Sequence, residues 1–455
     1  MDQLGGKTKV AIIGCTHAGT AAVREIIRQD PTTEVNIYER NDNISFLSCG
    51  IALYLNGRVK QLEDMFYDSA EDIRTENIHV NLRHDVIRIN RQKKELMVQN
   101  MDDFTVKREK YDKIIMCTGS MVSLPPIKGV NHARVMLCKN YEQAQLLHEK
   151  VKDARRVALI GGGYVNVELA ESLVDTNHEV TLFQSHEDIL NNYVDTPLSD
   201  KVIKLLNDHH VKVETSSKVV SFTDKVSELL VTTADGREFT TDVAVVSTGF
   251  VPVTDLLRGE VKMDRRGAII TNEYGQSSDP DIYVAGDLRT IHYNPTNAPE
   301  YIPLATNAVR QGTLAGINIF GNKWPEMGAQ GTSAIALFGH TLAMTGLTYQ
   351  RALNAGIDAD YVVFEDNYRP EFMPSTTKIT SIMVYEKKSL RILGAQFYSK
   401  HDVSQSANLI SLAIQNQNTL KDLAFVDMLF QPYYDRPFNF INLAAQAGLR
   451  KIGLL

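Results

Sequence analysis

One pattern occurs twice in this chain of 455 residues and constrains its fold more than any other feature. A short apolar run ends in glycine at residues 10–14 and again at 157–161, and another apolar run follows at 33–38 and at 178–183. The runs at 112–119 and 242–249 also match, and both end in Thr-Gly. Short apolar runs of this kind are typical of strands buried in a parallel sheet. The duplication therefore predicts an α/β chain with two related units.

The first glycine turn, at residues 14–19, reads Gly-Cys-Thr-His-Ala-Gly and precedes a segment with helical spacing of apolar residues. Backbone N–H groups at the start of such a helix stabilise a pyrophosphate, which predicts a dinucleotide site. Thr16 stands where the usual motif has its middle glycine. Glu39 ends the second run twenty residues after Gly19, where a carboxylate accepts hydrogen bonds from a ribose. The alternative is an ordinary strand, turn and helix with a surface glutamate.

The second glycine turn departs from this pattern at two positions. Asn166 takes the place of the third glycine, which lets helix and strand pack closely, so we expect a looser contact there. Gln184 replaces the acid that would repel the 2'-phosphate of NADPH, and His186 adds a donor nearby. We therefore expect appreciable use of NADPH beside NADH. The alternative is that Gln184 binds the ribose much as an acid would.

Composition excludes several classes of partner. A net charge of −7 without long runs of Lys or Arg argues against nucleic-acid binding. Residues 1–7 have no apolar stretch of signal-peptide type, and nowhere do about 18 apolar residues run together, so we expect no leader and no membrane span. The histidines show no metal-ligand spacing, and the four cysteines have no disulfide-framework spacing. A reducing cytoplasm is the expected setting.

Cys49 lies shortly after the second predicted strand, in the stretch Ser-Phe-Leu-Ser-Cys-Gly at 45–50. Ile44 and Tyr54 exclude a Cys-x4-Cys pair in either direction. If Cys49 does redox chemistry, it must therefore cycle as a single sulfur between thiolate and sulfenic acid. The alternative is an inert, small apolar side chain. That reading is the expected one for the remaining three cysteines, Cys15, Cys117 and Cys138.

A further strand at 278–287 ends in Gly-Asp. Together with Glu39-Arg40 and the stretch 45–50, it makes the chain resemble the flavoprotein disulfide reductase family. The similarity is to its single-cysteine branch, which contains NADH oxidases, NADH peroxidases and coenzyme A-disulfide reductases. The resemblance implies an α/β fold with two Rossmann-like domains and an α+β dimerisation domain. It implies an FAD domain at 1–122 and 251–330, an NAD(P)H domain at 123–250 and a dimerisation domain at 331–455.

The resemblance also implies roles for individual residues, with Cys49 and His17 as the catalytic pair. The residues expected to contact FAD are Gly14, Thr16, His17, Ala18, Gly19, Glu39, Arg40, Cys49, Val86, Thr118, Gly119, Ser120, Asp287, Leu304, Ala305 and Thr306. Those expected to line the nicotinamide site are Gly161, Gly163, Tyr164, Val165, Gln184, Tyr193 and Gly249. Tyr164 matches a residue that covers the flavin until the nicotinamide displaces it. Val251 replaces an arginine usual in this branch.

The implied reaction is the four-electron reduction of O2 to water by NAD(P)H, with FAD bound tightly and Cys49 cycling between thiolate and sulfenic acid. A helix starting at His17 is expected to lower the pKa of Cys49 and to keep His17 an uncharged hydrogen-bonding partner. The alternatives are a peroxidase and, less favoured because Ser48 stands where an asparagine is usual, a coenzyme A-disulfide reductase. A redox-sensing interaction protein is the alternative from another class.

The last third of the chain lacks glycine turns. Its pattern predicts strands at 378–385 and 391–398 and helices at 402–417 and 419–430. The tail is then rich in aromatic residues, namely Phe430, Tyr433, Tyr434, Phe438 and Phe440. Apolar surface of this kind favours a partner, and the resemblance implies a homodimer formed through this region. The alternative, compatible with the first, is that these rings close the domain's own core.

Overall fold

The computed structural model describes residues 8–455, so the expectation about a leader at 1–7 lies outside the described residues. The first part of the chain alternates strands and helices. Its strands are β1 Lys9–Ile13, β2 Glu34–Glu39, β3 Ile78–Leu82, β4 His84–Asn90, β5 Glu95–Asn100, β6 Val106–Lys110, β7 Lys113–Met116, β8 Ser120–Val122 and β9 Val135–Met136. Its helices are α1 His17–Gln29, α2 Ile51–Leu55, α3 Ala70–Ile73 and α4 Tyr141–Lys152.

The middle of the chain repeats this alternation. Its strands are β10 Arg156–Ile160, β11 Glu179–Phe183, β12 Lys212–Glu214, β13 Val219–Lys225, β14 Glu228–Thr233, β15 Glu238–Thr241, β16 Val243–Val246, β17 Phe250–Pro252, β18 Ile282–Val284, β19 Ile291–Tyr293 and β20 Ala298–Glu300. Its helices are α5 Tyr164–Asp175, α6 Thr196–Asp208 and α7 Ala305–Asn318. Short 3-10 turns lie at Ser48–Gly50, Leu62–Met65 and Asp255–Leu257.

Two parallel sheets carry the duplicated units. The first has the strand order β18-β7-β1-β2-β3 and the second β12-β11-β10-β16-β9. Their central strands are buried on both faces, which explains the uninterrupted apolar runs of β1 and β10. The predicted two Rossmann-like units are therefore confirmed. The edge strand β18 lies far along the chain from its neighbour in the sheet, and its Ile282 pairs with Ile114 of β7.

The last part of the chain forms an antiparallel sheet of order β21-β22-β25-β24-β23 packed against helices. Its strands are β21 Ser333–Leu337, β22 His340–Gly346, β23 Ala359–Asn367, β24 Lys378–Glu386 and β25 Ile392–Ser399. Its helices are α8 Tyr349–Asn354, α9 Ser404–Gln415, α10 Leu420–Phe425 and α11 Phe440–Lys451. The two predicted strands and the first predicted helix are confirmed to within two residues at each end.

The predicted helix at 419–430 is wrong in length, because α10 ends at Phe425. Side-chain amides of α11 bind the carbonyl groups at the end of α10. Asn442 donates to the carbonyl oxygens of Leu423 and Val426, and Gln446 donates to that of Ala424. These bonds satisfy acceptors that would otherwise bind the next helical turn, so the helix ends there.

The aromatic tail is divided between surface and core. Tyr433 and Tyr434 are 60% and 65% exposed, and Phe430 and Phe438 are also exposed. Phe440 is instead buried against Phe397 in the core of the last domain. The core reading is therefore confirmed for Phe440, and the partner surface stays a prediction for the four exposed rings. Within residues 8–455, no helix is long and apolar enough to cross a membrane.

Candidate active site at the two glycine turns

The two glycine turns have the same geometry. The N–H of Gly14 donates to Tyr38 O at 2.9 Å, and the N–H of Gly161 donates to Phe183 O at 2.8 Å. Both glycines have positive φ, +88° and +107°. A Cβ would lie 2.5 Å from Cys117 O in the first turn and 2.6 Å from Ser247 O in the second. Each turn therefore requires glycine, and each brings a helix N-terminus to the end of a parallel sheet, where nucleotides bind.

Close helix packing positions the start of α7 beside the first turn. Gly312 and Gly316 of α7 lie against the backbone of Ala18 and Ala22 of α1, where a Cβ would collide. The matched spacing of these contacts shows that the two helices run parallel. Ala305 and Thr306 form the first turn of α7, and Leu304 precedes it. These three residues therefore stand at the same end of the unit as His17, as the FAD assignment requires.

Glu39 ties the end of β2 to the first turn. Its carboxylate accepts the N–H of Cys15 at 2.7 Å and the N–H of Asn41 at 2.9 Å. Glu39 is 5% exposed, and burial raises its pKa although both N–H groups oppose the rise. Each oxygen keeps acceptor capacity for a ribose hydroxyl. The alternative reading of Glu39 as a surface glutamate is therefore wrong.

A cavity of about 250 Å³ opens beside this turn. Its lining includes Arg40, Val86 and Thr118, three residues that the sequence assigns to FAD. Arg40 makes an ion pair of 3.1 Å with Asp85, which also lines the cavity. Val86 itself is buried in β4. Because Arg40, Val86 and Thr118 are all expected to contact FAD, this cavity is a candidate for part of the FAD site.

Asp287 follows β18 and belongs to a partly buried polar cluster with Ser120 and Lys139. Its carboxylate accepts from the Ser120 hydroxyl at 2.8 Å and lies 3.6 Å from Lys139 Nζ. The same ammonium sits 3.9 Å from the ring centroid of Phe250. The Thr118 hydroxyl donates to Val253 O at 2.6 Å, and Val253 lies in the segment that leads from the second unit back to the first. Lys139 was not identified from the sequence, since it lies in a loop without a recognisable motif.

Cys49 lies in the 3-10 turn before α2, and it is the exposed member of the four cysteines. Partial burial among protein atoms raises the pKa of its thiol, the carboxylates of Glu168 and Asp287 add to the rise, and Lys139 opposes it. The expected lowering by the start of α1 is therefore not found, because desolvation and the acidic neighbours outweigh the positive charge. Cys15, Cys117 and Cys138 are buried, which confirms their predicted place in the core.

His17 is the first residue of α1, and its Nδ1 lies 2.9 Å from the Tyr67 hydroxyl. The two rings are stacked with centroids 5.7 Å apart. Burial lowers the pKa of His17, Asp287 opposes this and Lys139 adds to it, so His17 is neutral at pH 7 as expected. Its Nε2 is buried without a hydrogen-bond partner among the described residues. This nitrogen is available to a group bound in the site.

The second turn carries an aromatic pair. Tyr164 begins α5, and its ring lies 3.9 Å from that of Tyr193 with an interplanar angle of 31°. The Tyr164 hydroxyl contacts the Ser333 hydroxyl and lies 3.0 Å from Met344 Sδ. Gly163 caps α5, Val165 follows Tyr164, and Gly249 adopts φ of +102° between β16 and β17. Tyr193 therefore packs on the first residue of α5, and Gly249 follows the segment Ser247–Thr248 that packs against Gly161.

Gln184 is 8% exposed and is engaged by its own loop. Its Nε2 donates to Asp188 O at 3.1 Å, and its Oε1 accepts from the N–H of Ser185 at 3.0 Å. The side chain therefore holds the turn 184–188 and adds no negative charge to it. This leaves both expectations for Gln184, ribose binding and tolerance of a 2'-phosphate, as predictions.

Asn166 does the opposite of what its sequence position led us to expect. Its side chain is fully buried, and its amide donates to Ile160 O at 2.9 Å and to Gly161 O at 2.8 Å. The side chain fills the space that a glycine would leave and binds strand, turn and helix together. The expectation of a looser contact is therefore wrong.

Glu168 was also missed by sequence reasoning. It lies four residues after Tyr164 on α5, hence on the same face of the helix. Burial raises its pKa to about 7, and Glu171 adds to the rise. The spacing of four residues from Tyr164 was the signal that would have placed Glu168 on the same face of α5 as Tyr164.

This arrangement, an exposed cysteine between two dinucleotide-type turns, defines a flavin- and nicotinamide-dependent oxidoreductase. Residues 8–312 match the family model described as pyridine nucleotide-disulphide oxidoreductase, and residues 332–438 match its dimerisation domain. The chain belongs to this family, which confirms the resemblance and the class of enzyme. It is an FAD-dependent oxidoreductase of pyridine nucleotides.

The relatives are similar along the whole chain. An NADH oxidase of Enterococcus faecalis is 46% identical over 98% of this chain and 100% of its own. A solved water-forming NADH oxidase from Lactobacillus brevis, bound to NADH, is 46% identical with a TM-score of 0.96, covering 98% of this chain and 99% of its own. An engineered water-forming NADPH oxidase bound to NADPH has the same identity, coverage and TM-score.

Proposed function

We propose that this protein is a homodimeric, cytoplasmic NAD(P)H oxidase that reduces O2 to water with FAD and a single redox-active cysteine. The observation that carries the proposal is Cys49, an exposed thiol on which Glu168 of the second unit and Asp287 of the first both act electrostatically. The full-length similarity to an NADH oxidase and to a solved water-forming NADH oxidase supports the choice of acceptor. The balanced reaction consumes two NAD(P)H, two protons and one O2, and gives two NAD(P)⁺ and two water molecules.

The residues around the first turn fit FAD. The N–H groups at the start of α1 would bind the pyrophosphate, Glu39 would accept hydrogen bonds from a ribose, and Asp287 with its neighbours Lys139 and Ser120 would contact the ribityl chain. The unpartnered Nε2 of His17 offers a further contact. Bound FAD supplies hydride acceptance from the nicotinamide and electron delivery to O2 and to sulfur.

Cys49 supplies the peroxide-reducing step. Its thiolate attacks one oxygen of hydrogen peroxide, the O–O bond breaks, and the second oxygen leaves as water after taking a proton. The sulfur is left as sulfenic acid, which two further electrons and two protons return to thiol and water. Lys139 opposes the rise in the pKa of Cys49, and the unpartnered Nε2 of neutral His17 would be free to hydrogen-bond a group bound in the site.

A stoichiometric measurement tests the proposal. Holoenzyme with limiting NADH and excess O2 should consume two NADH per O2 and release no peroxide. The Cys49→Ser variant should consume one NADH per O2 and release hydrogen peroxide, since the thiolate step is gone. Cys138→Ser is the matched control, because Cys138 is buried in the second unit's core. One NADH per O2 in the wild type would contradict the four-electron reaction. Negligible oxygen uptake with rapid NADH oxidation on added peroxide would identify a peroxidase.

We also infer that NADPH is used beside NADH. Gln184 presents no carboxylate where one would repel a 2'-phosphate. The engineered NADPH oxidase is described as a mutant with five substitutions, one of which exchanges an aspartate for alanine. The expected NADPH kcat/KM is above about one hundredth of that for NADH, a gap of roughly 2.7 kcal/mol. Gln184→Asp should lower kcat/KM for NADPH and leave that for NADH higher than or equal to the wild-type value. Equal values for NADPH in both proteins would contradict this role for Gln184.

We infer that the dimer forms through the last domain. The exposed rings of Phe430, Tyr433, Tyr434 and Phe438 lie in or beside the segment matched by the dimerisation model. Sedimentation of the holoenzyme should give a mass near twice the 50.9 kDa of the chain. Tyr434→Lys should shift it toward the monomer, whereas Phe104→Lys, on an exposed ring outside that segment, should not.

A further inference from the structure

We propose that Asp195 and Gln396 are positioning residues that hold the loop 189–195 of the second unit against the last domain and thereby set the affinity for NAD(P)H. The inference rests on the proposed function, because it takes NAD(P)H to bind at the second glycine turn. Gln396 lies on β25 of the last domain, and Asp195 directly precedes α6. Both residues lie outside the glycine turn, so they act on it through the loop.

This loop packs directly on the second glycine turn. The N–H of Leu190 donates to Gly162 O at 2.8 Å, and a Cβ on Gly162 would lie 2.9 Å from Ile189 Cγ2. The N–H of Tyr193 donates to Leu190 O at 2.7 Å, and the Tyr193 ring lies 3.9 Å from that of Tyr164. A shift of the loop therefore changes the surroundings of the turn and of the first residue of α5.

Asp195 joins the end of this loop to the last domain by a reciprocal pair of hydrogen bonds. Its N–H donates to Gln396 Oε1 at 2.7 Å, and Gln396 Nε2 donates to the Asp195 carboxylate at 2.6 Å. The same carboxylate accepts the N–H of Tyr349, at the start of α8, at 3.0 Å. Bonds to an ionised acceptor are stronger than bonds between neutral groups. Gln396 is 1% exposed, so its amide cannot turn to solvent when Asp195 is replaced.

The side chain of Asp195 is used between the domains and not within its own helix. Asp195 occupies the N-cap position of α6, yet its carboxylate makes no capping hydrogen bond there. An aspartate in this position commonly accepts an N–H from the first turn of the helix that it precedes. Asp195 instead directs its carboxylate to Gln396 and Tyr349, which fixes one position of the loop relative to the last domain.

Helix α8 also holds the middle of the loop. Arg351 donates to Asn192 O at 3.4 Å, and its guanidinium pairs with Glu300. The loop is therefore tied to the last domain at two places and to the glycine turn at a third. The bonds between Asp195 and Gln396 are the shortest of these ties, so their loss should have the largest effect on the position of the loop.

Loss of these bonds lets the loop leave its position in a fraction of the molecules. NADH binds tightly to the molecules in which the loop is in place, so the apparent Kd equals the intrinsic Kd divided by their fraction. Asp195→Ala removes hydrogen bonds to a charged group and should raise the apparent Kd about three- to thirtyfold. The limiting rate of flavin reduction should change by less than about twofold, because the molecules that have bound NADH have the loop in place.

Anaerobic stopped-flow reduction of the flavin by NADH tests the proposal on the holoenzyme, since it gives the limiting rate and the half-saturating NADH concentration separately. Asp195→Ala should raise the half-saturating concentration alone. Asp195→Asn should stay within about threefold of the wild type, because its amide oxygen can accept from Gln396 and Tyr349 as the carboxylate does. Lys201→Gln is the matched control, since it breaks an ion pair of 2.8 Å between α6 and Glu365 of the last domain, outside the loop. It should change neither quantity.

A second variant keeps the test decisive if Asp195→Ala is unstable. Gln396→Met keeps an unbranched side chain without the amide and should raise the half-saturating concentration to a similar degree. Combining it with Asp195→Ala should add little, because both changes remove the same contact. An unchanged half-saturating concentration in both variants, or an equal rise in Lys201→Gln, would overturn the positioning role and leave the proposed function standing. A wild-type flavin that NADH does not reduce would overturn both.

Discussion

The carboxylate of Glu39 accepts the backbone N–H of Cys15 at 2.7 Å, so the acid at the end of β2 also shapes the first glycine turn. Its other oxygen holds the N–H of Asn41 at 2.9 Å. One side chain thus joins the first glycine turn to the loop after β2. We therefore expect Glu39 to act on FAD binding both through the shape of the turn and through a direct hydrogen bond.

Glu39→Gln should lose FAD during purification. The amide places an NH2 group against one of the two N–H donors, and a charge-assisted hydrogen bond is worth about 1.5–3 kcal/mol, or roughly 10- to 100-fold in affinity. The ratio of FAD absorbance to protein measures the loss. Glu34→Gln, at the start of the same strand in an ion pair with Lys9, should retain FAD. Full occupancy in Glu39→Gln would contradict this role.

Glu168→Gln should make Cys49 more reactive above neutral pH. A negative carboxylate disfavours the nearby thiolate and raises the pKa of Cys49, so its removal lowers that pKa. Because the pKa of Glu168 is about 7, the carboxyl is largely neutral at pH 6 and charged at pH 8. Iodoacetamide should therefore alkylate Cys49 in the variant about two- to fivefold faster than in the wild type at pH 8, and at a similar rate at pH 6.

The other three cysteines are buried, so the alkylation reports on Cys49, and peptide mass mapping confirms the site. Glu63→Gln, an exposed glutamate bonded to Tyr141, is a control that should leave the rate unchanged. A rate that is higher at pH 6 but not at pH 8 would show that Glu168 does not act through its charge.

Lys139→Gln should have the opposite effect and make Cys49 less reactive. The Lys139 ammonium lowers the pKa of Cys49 against the desolvation that raises it, so its loss raises that pKa further. Alkylation of Cys49 at pH 8 should slow by about two- to tenfold. Lys150→Gln, on α4 away from this cluster, should not alter it. Because Lys139 also faces Asp287, a change in the visible spectrum of the flavin should accompany the slower alkylation. An unchanged rate would mean that solvent screens the ammonium from the thiol.

Asn166→Ala should destabilise the second unit. The variant removes the amide donor to Gly161 O and one of the two donors to Ile160 O, which keeps the N–H of Ser247, and the loss costs about 1–3 kcal/mol. The apparent unfolding temperature of the holoenzyme measures the effect. Asn166→Gly should lower it further, because glycine in a helix costs about 1 kcal/mol relative to alanine. A more stable Asn166→Gly would restore the interpretation drawn from the motif.

Residues that act through backbone geometry were predictable from the sequence. Gly14 and Gly161 each meet a carbonyl oxygen where a Cβ would stand, and Glu39 follows at the expected distance, so spacing alone identifies them. The hydrogen bonds of Asn166 were not predictable. The motif shows only that glycine is usual at this position, and it does not show which carbonyl groups an amide side chain would reach.

Residues that reach the site from a distant part of the chain gave no local signal. Lys139 reaches Asp287 from a loop, and Ser333 reaches Tyr164 from β21 of another domain. The early end of α10 was missed for the same reason, because its last carbonyl groups accept hydrogen bonds from side-chain amides of α11. Each depends on a tertiary contact that the spacing of residues does not encode.

The pairing of β18 with β7 has a consequence for biosynthesis. Ile114 and its partner Ile282 are separated by all of the second unit, so one edge of the first sheet stays open while the ribosome completes the intervening residues. An open, apolar strand edge is prone to pairing with other chains. The second unit must therefore emerge and fold quickly, or the nascent chain must be shielded, before the first sheet closes. Yield in rapid expression should be limited by this interval rather than by the stability of the finished protein.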